Sequence, residues 1–196
     1  MTEDHRTSTP FKPLTENLGI GLALSQSLLR RSKTTVIACI RERTSTHSTL
    51  LPSDHHPTSS LETIKLDSTS DKDFIDIQNY LVEDGVPRRI DVVIANAGSS
   101  AKYALVLDTP LDAMRSDFEV NTLGPLRLFQ ACYMHLSIAP QGKFILISSI
   151  LGSIGVQNEM AGPVLAYGTS KAAANFLTRK IHFEYRDLVA VAIHPG

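Results

Sequence analysis

In the stretch Ile90-Asp91-Val92-Val93-Ile94-Ala95-Asn96-Ala97-Gly98, one acid interrupts an otherwise apolar run that stops at a small, polar turn. A strand with one wet face alternates polar and apolar residues, whereas an unbroken Val/Ile run suits a strand covered on both faces. The same pattern recurs on either side. Residues 35–40 (Thr-Val-Ile-Ala-Cys-Ile), 61–66, 144–147 and 188–193 read as further short strands. Between them lie longer stretches with helical periodicity. Residues 17–30 set Leu18, Leu22, Leu24, Leu28 and Leu29 along one face. Asp67-Ser68-Thr69-Ser70 offers capping groups ahead of a helix running to residue 82. Residues 111–138 are largely helical with a break near Gly124-Pro125, and residues 165–185 form another helix. Residues 44–60 are rich in Ser, Thr, His and Pro without periodicity and read as a loop.

Strands and helices in alternation predict an α/β fold, a doubly wound, Rossmann-like parallel sheet, as one domain over residues 1–196. Ligands in such sheets bind beyond the C-terminal ends of the strands. The polar signatures fall there: Asn96-Ala97-Gly98 follows one strand, Ser148-Ser149 another, and His194-Pro195-Gly196 the last.

Composition narrows the function classes. With 42% hydrophobic residues, 20% charged residues and a net charge of −1, nothing suggests nucleic acid or a membrane surface as partner. Cys39 and Cys132 stand far apart in apolar runs, which suits buried thiols in a reducing compartment. Residues 1–13 lack the apolar stretch of a secretory signal, and no segment approaches the ~18 apolar residues of a membrane span. The expected location is cytoplasmic.

Tyr167-Gly168-Thr169-Ser170-Lys171 sets a phenol and an ammonium on one face of a helix. A tyrosine that titrates near ~10 is a poor acid or base at neutral pH, and a cation beside it favours the phenolate. Taken alone, the pair also fits a solvated helix face. It is not alone, because Ser148-Ser149, Asn121 and Asn96-Ala97-Gly98 accompany it in order along the chain.

With these motifs together, the chain resembles the short-chain dehydrogenase/reductase family over residues 18–196. Within it, residues 165–171 and 176–184 resemble the branch of norsolorinic acid ketoreductases and sniffer-type carbonyl reductases. The resemblance implies an oxidoreductase that reduces a ketone or other carbonyl on a small molecule, in secondary metabolism of polyketide type, with NAD(P) as hydride source. It implies that Tyr167 protonates the carbonyl oxygen and that Lys171 holds the cofactor ribose and lowers the tyrosine's pKa. Ser149 would bond the substrate carbonyl, with Ser148 as the neighbouring alternative, and Asn121 would hold a proton-relaying water. Residues 152–163 form a longer insertion than the family's usual spacing; they either shape the substrate pocket or form a tolerated surface loop. A homodimer or homotetramer through this helix and the one after Asn121 is also implied.

The cofactor end departs from the family pattern Thr-Gly-x-x-x-Gly-x-Gly. Gly19-Ile20-Gly21 supplies the last two glycines, but Leu14 and Thr15 stand in place of Thr-Gly. Phe11-Lys12-Pro13 is a poor central strand, since proline removes a ladder donor. The first strand is therefore expected to be missing or replaced and residues 1–16 poorly ordered. At the other end the chain stops at Pro195-Gly196, where the family runs on to a seventh strand. The chain is expected to be truncated at both ends, and an inactive, binding or regulatory relative is the alternative function.

The remaining cofactor contacts implied are Arg41, Asp67, Asn96, Ala97, Gly98, Tyr167, Lys171, Pro195 and Gly196, beside Gly19, Ile20 and Gly21. Arg41 and Arg43 after the second strand favour NADP (NADPH) over NAD, although Glu42 lies between them. The bland reading of Asp67 is a helix N-cap. His47, His55 and His56 lack metal-ligand spacing, so no metal is expected. His182 and His194 read as packing or surface residues.

Overall fold

The computed structural model describes residues 13–16, 19–41, 50–157 and 162–196. Leu18, Glu42, Arg43, His47 and part of the 152–163 insertion lie outside the described residues. Among the described residues eight strands follow in order: β1 (Pro13–Glu16), β2 (Thr35–Ile40), β3 (Ser60–Lys65), β4 (Val82–Glu83), β5 (Val86–Pro87), β6 (Val92–Ala95), β7 (Lys143–Ile147) and β8 (Val189–Ile193). The α-helices are α1 (Gly19–Leu29), α2 (Asp71–Tyr80), α3 (Leu111–Phe118), α4 (Gly124–Ser137) and α5 (Leu165–Glu184).

Six strands form one parallel sheet in the order β3-β2-β1-β6-β7-β8. β4 and β5 make a separate two-stranded hairpin at the end of α2 that the periodicity does not predict. The pleat divides the core. Ile37, Cys39, Val93, Ala95, Phe144 and Leu146 point to one face, where Phe74 and Ile77 of α2, Leu128 and Cys132 of α4, and Ala174 and Ile181 of α5 meet them. Val36, Val92 and Ile94 point to the other face, against Leu28 and Leu29 of α1. Burial on both faces explains why β2 and β6 carry no polar alternation. At the β8 edge, Val189, Val191 and Ile193 remain exposed.

The first strand, expected to be missing or replaced, is present as a replacement. Pro13–Glu16 fills the central position, with Leu14 opposite Ile37 on one side and Val93 on the other. The poor composition of this segment is tolerated because Pro13 is the first residue of the strand, where only one ladder donor is lost. The flanking ladders supply what the segment's own β-propensity does not, since propensity is overridden by context.

Two boundaries also move. The cap of α2 is Ser70, whose hydroxyl accepts the Asp73 N–H; Asp67 instead accepts from Thr69 N–H and Oγ. The break in the long helical stretch is a π-turn at Glu119–Leu123, closed by the Gly124 N–H on the Glu119 carbonyl. Pro125 is its sequence cause, because it has no N–H to give to the carbonyl of Asn121 one turn back.

Candidate active site

Strand order reverses between β1 and β6, and a cleft of about 590 Å³ opens at that switch point, beyond the C-terminal ends of the strands. Five of the six strand ends contribute: Gly19 and Ile20 after β1, Arg41 after β2, Asn96, Gly98, Ser99 and Ser100 after β6, Ser148 and Ser149 after β7, and His194, Pro195 and Gly196 after β8. α5 adds Tyr167 and Lys171.

α5 can sit this close because two glycines meet it. A Cβ on Gly152 would lie 2.8 Å from the Lys171 backbone, and one on Gly168 would lie 2.8 Å from the Leu151 carbonyl. These contacts seat the helix against the short turn Ile150–Gly152, which begins at Ser149. The two serines separate in role. Ser148 is buried and donates to Asn175 Oδ1 at 2.6 Å, so its hydroxyl serves packing. Ser149 is half-buried and accepts the Leu151 N–H at 3.2 Å.

Lys171 is 3% exposed, and its ammonium donates to the Ile147 carbonyl at 2.9 Å and lies 5.7 Å from the Tyr167 ring centre. The expected direction of the tyrosine's pKa is corrected. Burial pushes the Tyr167 phenol above its ordinary value; the neighbouring Ser149 hydroxyl opposes this, while Tyr103 and Asp117 add to it. The phenol is thus held protonated at neutral pH.

Asn121 is fully buried in the π-turn. Its Oδ1 accepts the Ser99 N–H at 2.8 Å, and its Nδ2 donates to the Ser99 carbonyl at 2.8 Å and to Ser170 Oγ at 2.9 Å. The side chain is therefore committed to holding the turn after β6. Its main-chain carbonyl is the group that Pro125 leaves without an α-helical donor.

The cofactor residues divide. Gly19 has φ +55° and nothing within 4 Å of a built Cβ, so the chain turns into α1 over open space with the helix N-terminus at the cleft. Arg41 is exposed on the rim. Gly98 packs against Asn121 and the Lys171 ammonium. Gly21 is buried behind the turn, with its carbonyl bonded by Ser25. Ala97 lines a smaller apolar pocket with Cys39, Leu66, Ser68 and Asn96. The Asp67 carboxylate is not among the residues lining either space. A positive-φ glycine, a helix N-terminus, a basic rim residue and a buried ammonium in one cleft fit a pyrophosphate-linked dinucleotide.

Sequence reasoning passed over Ser99, Ser100, Tyr103 and Leu151, and read His194 as a packing or surface residue, yet all five line the cleft. His194 carried a signal in its place directly after the last strand. The described part of the 152–163 insertion, Ile154, Gln157 and Gly162, lines an adjoining groove of about 400 Å³ that shares Leu151 with the cleft.

The family profile described as short chain dehydrogenase matches residues 16–196. A norsolorinic acid ketoreductase of Dothistroma septosporum is 38% identical over 181 residues, covering 91% of this chain and 68% of that protein. One of Emericella nidulans is 37% identical, with coverage of 91% and 68%. Among solved structures, the putative carbonyl reductase Sniffer of Caenorhabditis elegans matches with a TM-score of 0.83 at 26% identity, covering 96% of this chain and 85% of that one. The NADPH-bound carbonyl reductase from chicken fatty liver matches with a TM-score of 0.83 at 30% identity, covering 96% and 80%.

Proposed function

Because the chain belongs to the short-chain dehydrogenase family, and is therefore an oxidoreductase acting between CH–OH and C=O groups, we propose that it reduces a bulky ketone with NADPH. The observation that carries this reading is the meeting of Tyr167, Ser149 and Lys171 in the cleft that also holds Gly19 and Arg41.

The bound nicotinamide supplies the hydride. The chain's own residues orient and protonate. Ser149 Oγ bonds the ketone oxygen, and Tyr167 Oη donates its proton to that oxygen as the alkoxide develops. The main-chain carbonyl of Asn121 holds a water that returns a proton by way of Lys171, whose ammonium also bonds the ribose hydroxyls. Arg41 faces the 2′-phosphate that separates NADPH from NADH. Similarity to two norsolorinic acid ketoreductases supports a bulky aromatic ketone of polyketide type as substrate, and the apolar groove beyond Leu151 gives such a molecule room. Exposed Met134 on α4 and Phe176 on α5 support self-association as a homodimer or homotetramer.

The test is NADPH consumption with a panel of aromatic ketones, with the alcohol identified by mass spectrometry. Formation of the alcohol by the wild-type chain, lost in Tyr167→Phe, is expected. A folded chain that binds NADPH and reduces none of the ketones would contradict the reading and favour a binding role instead.

A further inference from the structure

Asp117 lies on α3, four residues before Asn121 and on the same side of the helix. It is fully buried, which is costly for a carboxylate, and it forms no ion pair among the described residues. Its Oδ1 accepts the Ala101 N–H at 2.8 Å and the Ser99 hydroxyl at 3.1 Å. Its Oδ2 is buried without a hydrogen-bond partner. Asn121 takes both main-chain groups of the same Ser99. Two side chains one helical turn apart thus grip a single turn of chain, from Ser99 to Ala101. That turn leads into Tyr103 and forms one wall of the cleft facing Tyr167.

We propose that Asp117 is a positioning residue for carbonyl reduction: its buried carboxylate clamps the Ser99–Ala101 turn onto α3 and fixes the cleft wall opposite the proton donor. The inference rests on the reductase reading and extends it to a residue outside the catalytic set. A carboxylate does this better than a neutral group for two reasons. It accepts two hydrogen bonds on one oxygen, both strengthened by its charge. Its field also reaches Tyr167 and favours the protonated phenol. The other titratable groups around that phenol are Lys171 on its own helix, Tyr103 on the clamped loop and His194 across the cleft.

Asp117→Ala removes the clamp and the charge, whereas Asp117→Asn keeps an acceptor for Ala101 N–H and removes only the charge. Steady-state kinetics over pH, with wild type and Tyr167→Phe alongside, separate these effects. For Asp117→Ala we expect kcat to fall at least tenfold with NADPH affinity unchanged. For Asp117→Asn we expect kcat within about threefold of wild type at neutral pH and a basic limb moved to lower pH. Tyrosine ring-carbon NMR, with the Tyr167 resonance assigned by its loss in Tyr167→Phe, should show the same downward move without any turnover. Wild-type kcat in Asp117→Ala, or an unmoved Tyr167 titration in Asp117→Asn, would overturn the proposal. An inactive wild type would overturn the reductase reading instead, while the NMR titration would still test whether the Asp117 charge reaches Tyr167.

Discussion

The half of the sheet on the β6-β7-β8 side and the half on the β3-β2-β1 side meet at one cleft but are built differently. On the first side, buried polar groups and glycine contacts fix each functional atom: Asn121 to Ser99 and Ser170, Lys171 to Ile147, Gly152 and Gly168 against α5. On the second side, the central strand is four residues long and begins with proline, and it holds its place through its two neighbours. The catalytic side is determined by side chains. The cofactor side is determined by backbone pairing, a glycine at positive φ and a helix end. A sheet position can therefore be occupied by a segment whose own composition argues against it, whereas a proton donor cannot be replaced in this way.

Separate variants should break the two sides independently. Tyr167→Phe should lower kcat by about 10²–10⁴-fold, the usual range for losing a general acid, with NADPH binding unchanged by fluorescence titration. Equal loss of binding and turnover would mean that the sides are not separable. Leu14→Pro should do the reverse. It removes an N–H from a strand paired on both sides, and the expected loss of about 1–3 kcal/mol would appear as a lower urea midpoint together with weakened NADPH binding. If β1 did not occupy the middle of the sheet, this variant would behave as wild type.

Gly152→Ala should shift α5 against the Ser149 turn. The crowded atoms are the Lys171 carbonyl carbon and Cβ and the Ala172 nitrogen, which cannot swing aside, so a loss of about 1–3 kcal/mol by thermal unfolding is expected, with kcat reduced more than NADPH affinity. Arg41→Ala should weaken NADPH about tenfold and leave NADH unchanged, which sharpens the role of the rim.

The pH dependence follows from the raised Tyr167 pKa. The acid form carries reduction, so kcat for reduction should stay flat through neutral pH and fall only as pH rises through the elevated value. Alcohol oxidation needs the phenolate and should rise over that same range. Stopped assays in both directions measure this, and a reductive limb falling near neutrality would show that Lys171 dominates once the cofactor is bound.

The placement of residues on the β6-β7-β8 side was largely legible in the sequence. Apolar runs give β6 and β7 their places, and the residues directly after them, Asn96 and Ser149, reach the cleft because a parallel sheet presents its strand ends there. Asp117 and Tyr103 were not legible, since a lone acid or tyrosine on a helix or loop carries no spacing signal. β1 was misjudged because propensity speaks of an isolated segment, while its ladder partners lie at residues 37–39 and 92–93. The direction of the tyrosine's pKa was misjudged for a similar reason. The Tyr-x-x-x-Lys spacing brings the ammonium to 5.7 Å from the ring centre, but burial, which spacing does not report, pushes the phenol up.

The most direct test of the account is a fluorescence titration of the purified chain with NADPH and, in parallel, with NADH. Saturable binding, tighter for NADPH, is the predicted result, because the short β1, Gly19 and Arg41 complete the cleft that Tyr167 and Lys171 face. A chain that is folded by circular dichroism and binds neither nucleotide would contradict it, leaving the catalytic residues without a hydride source.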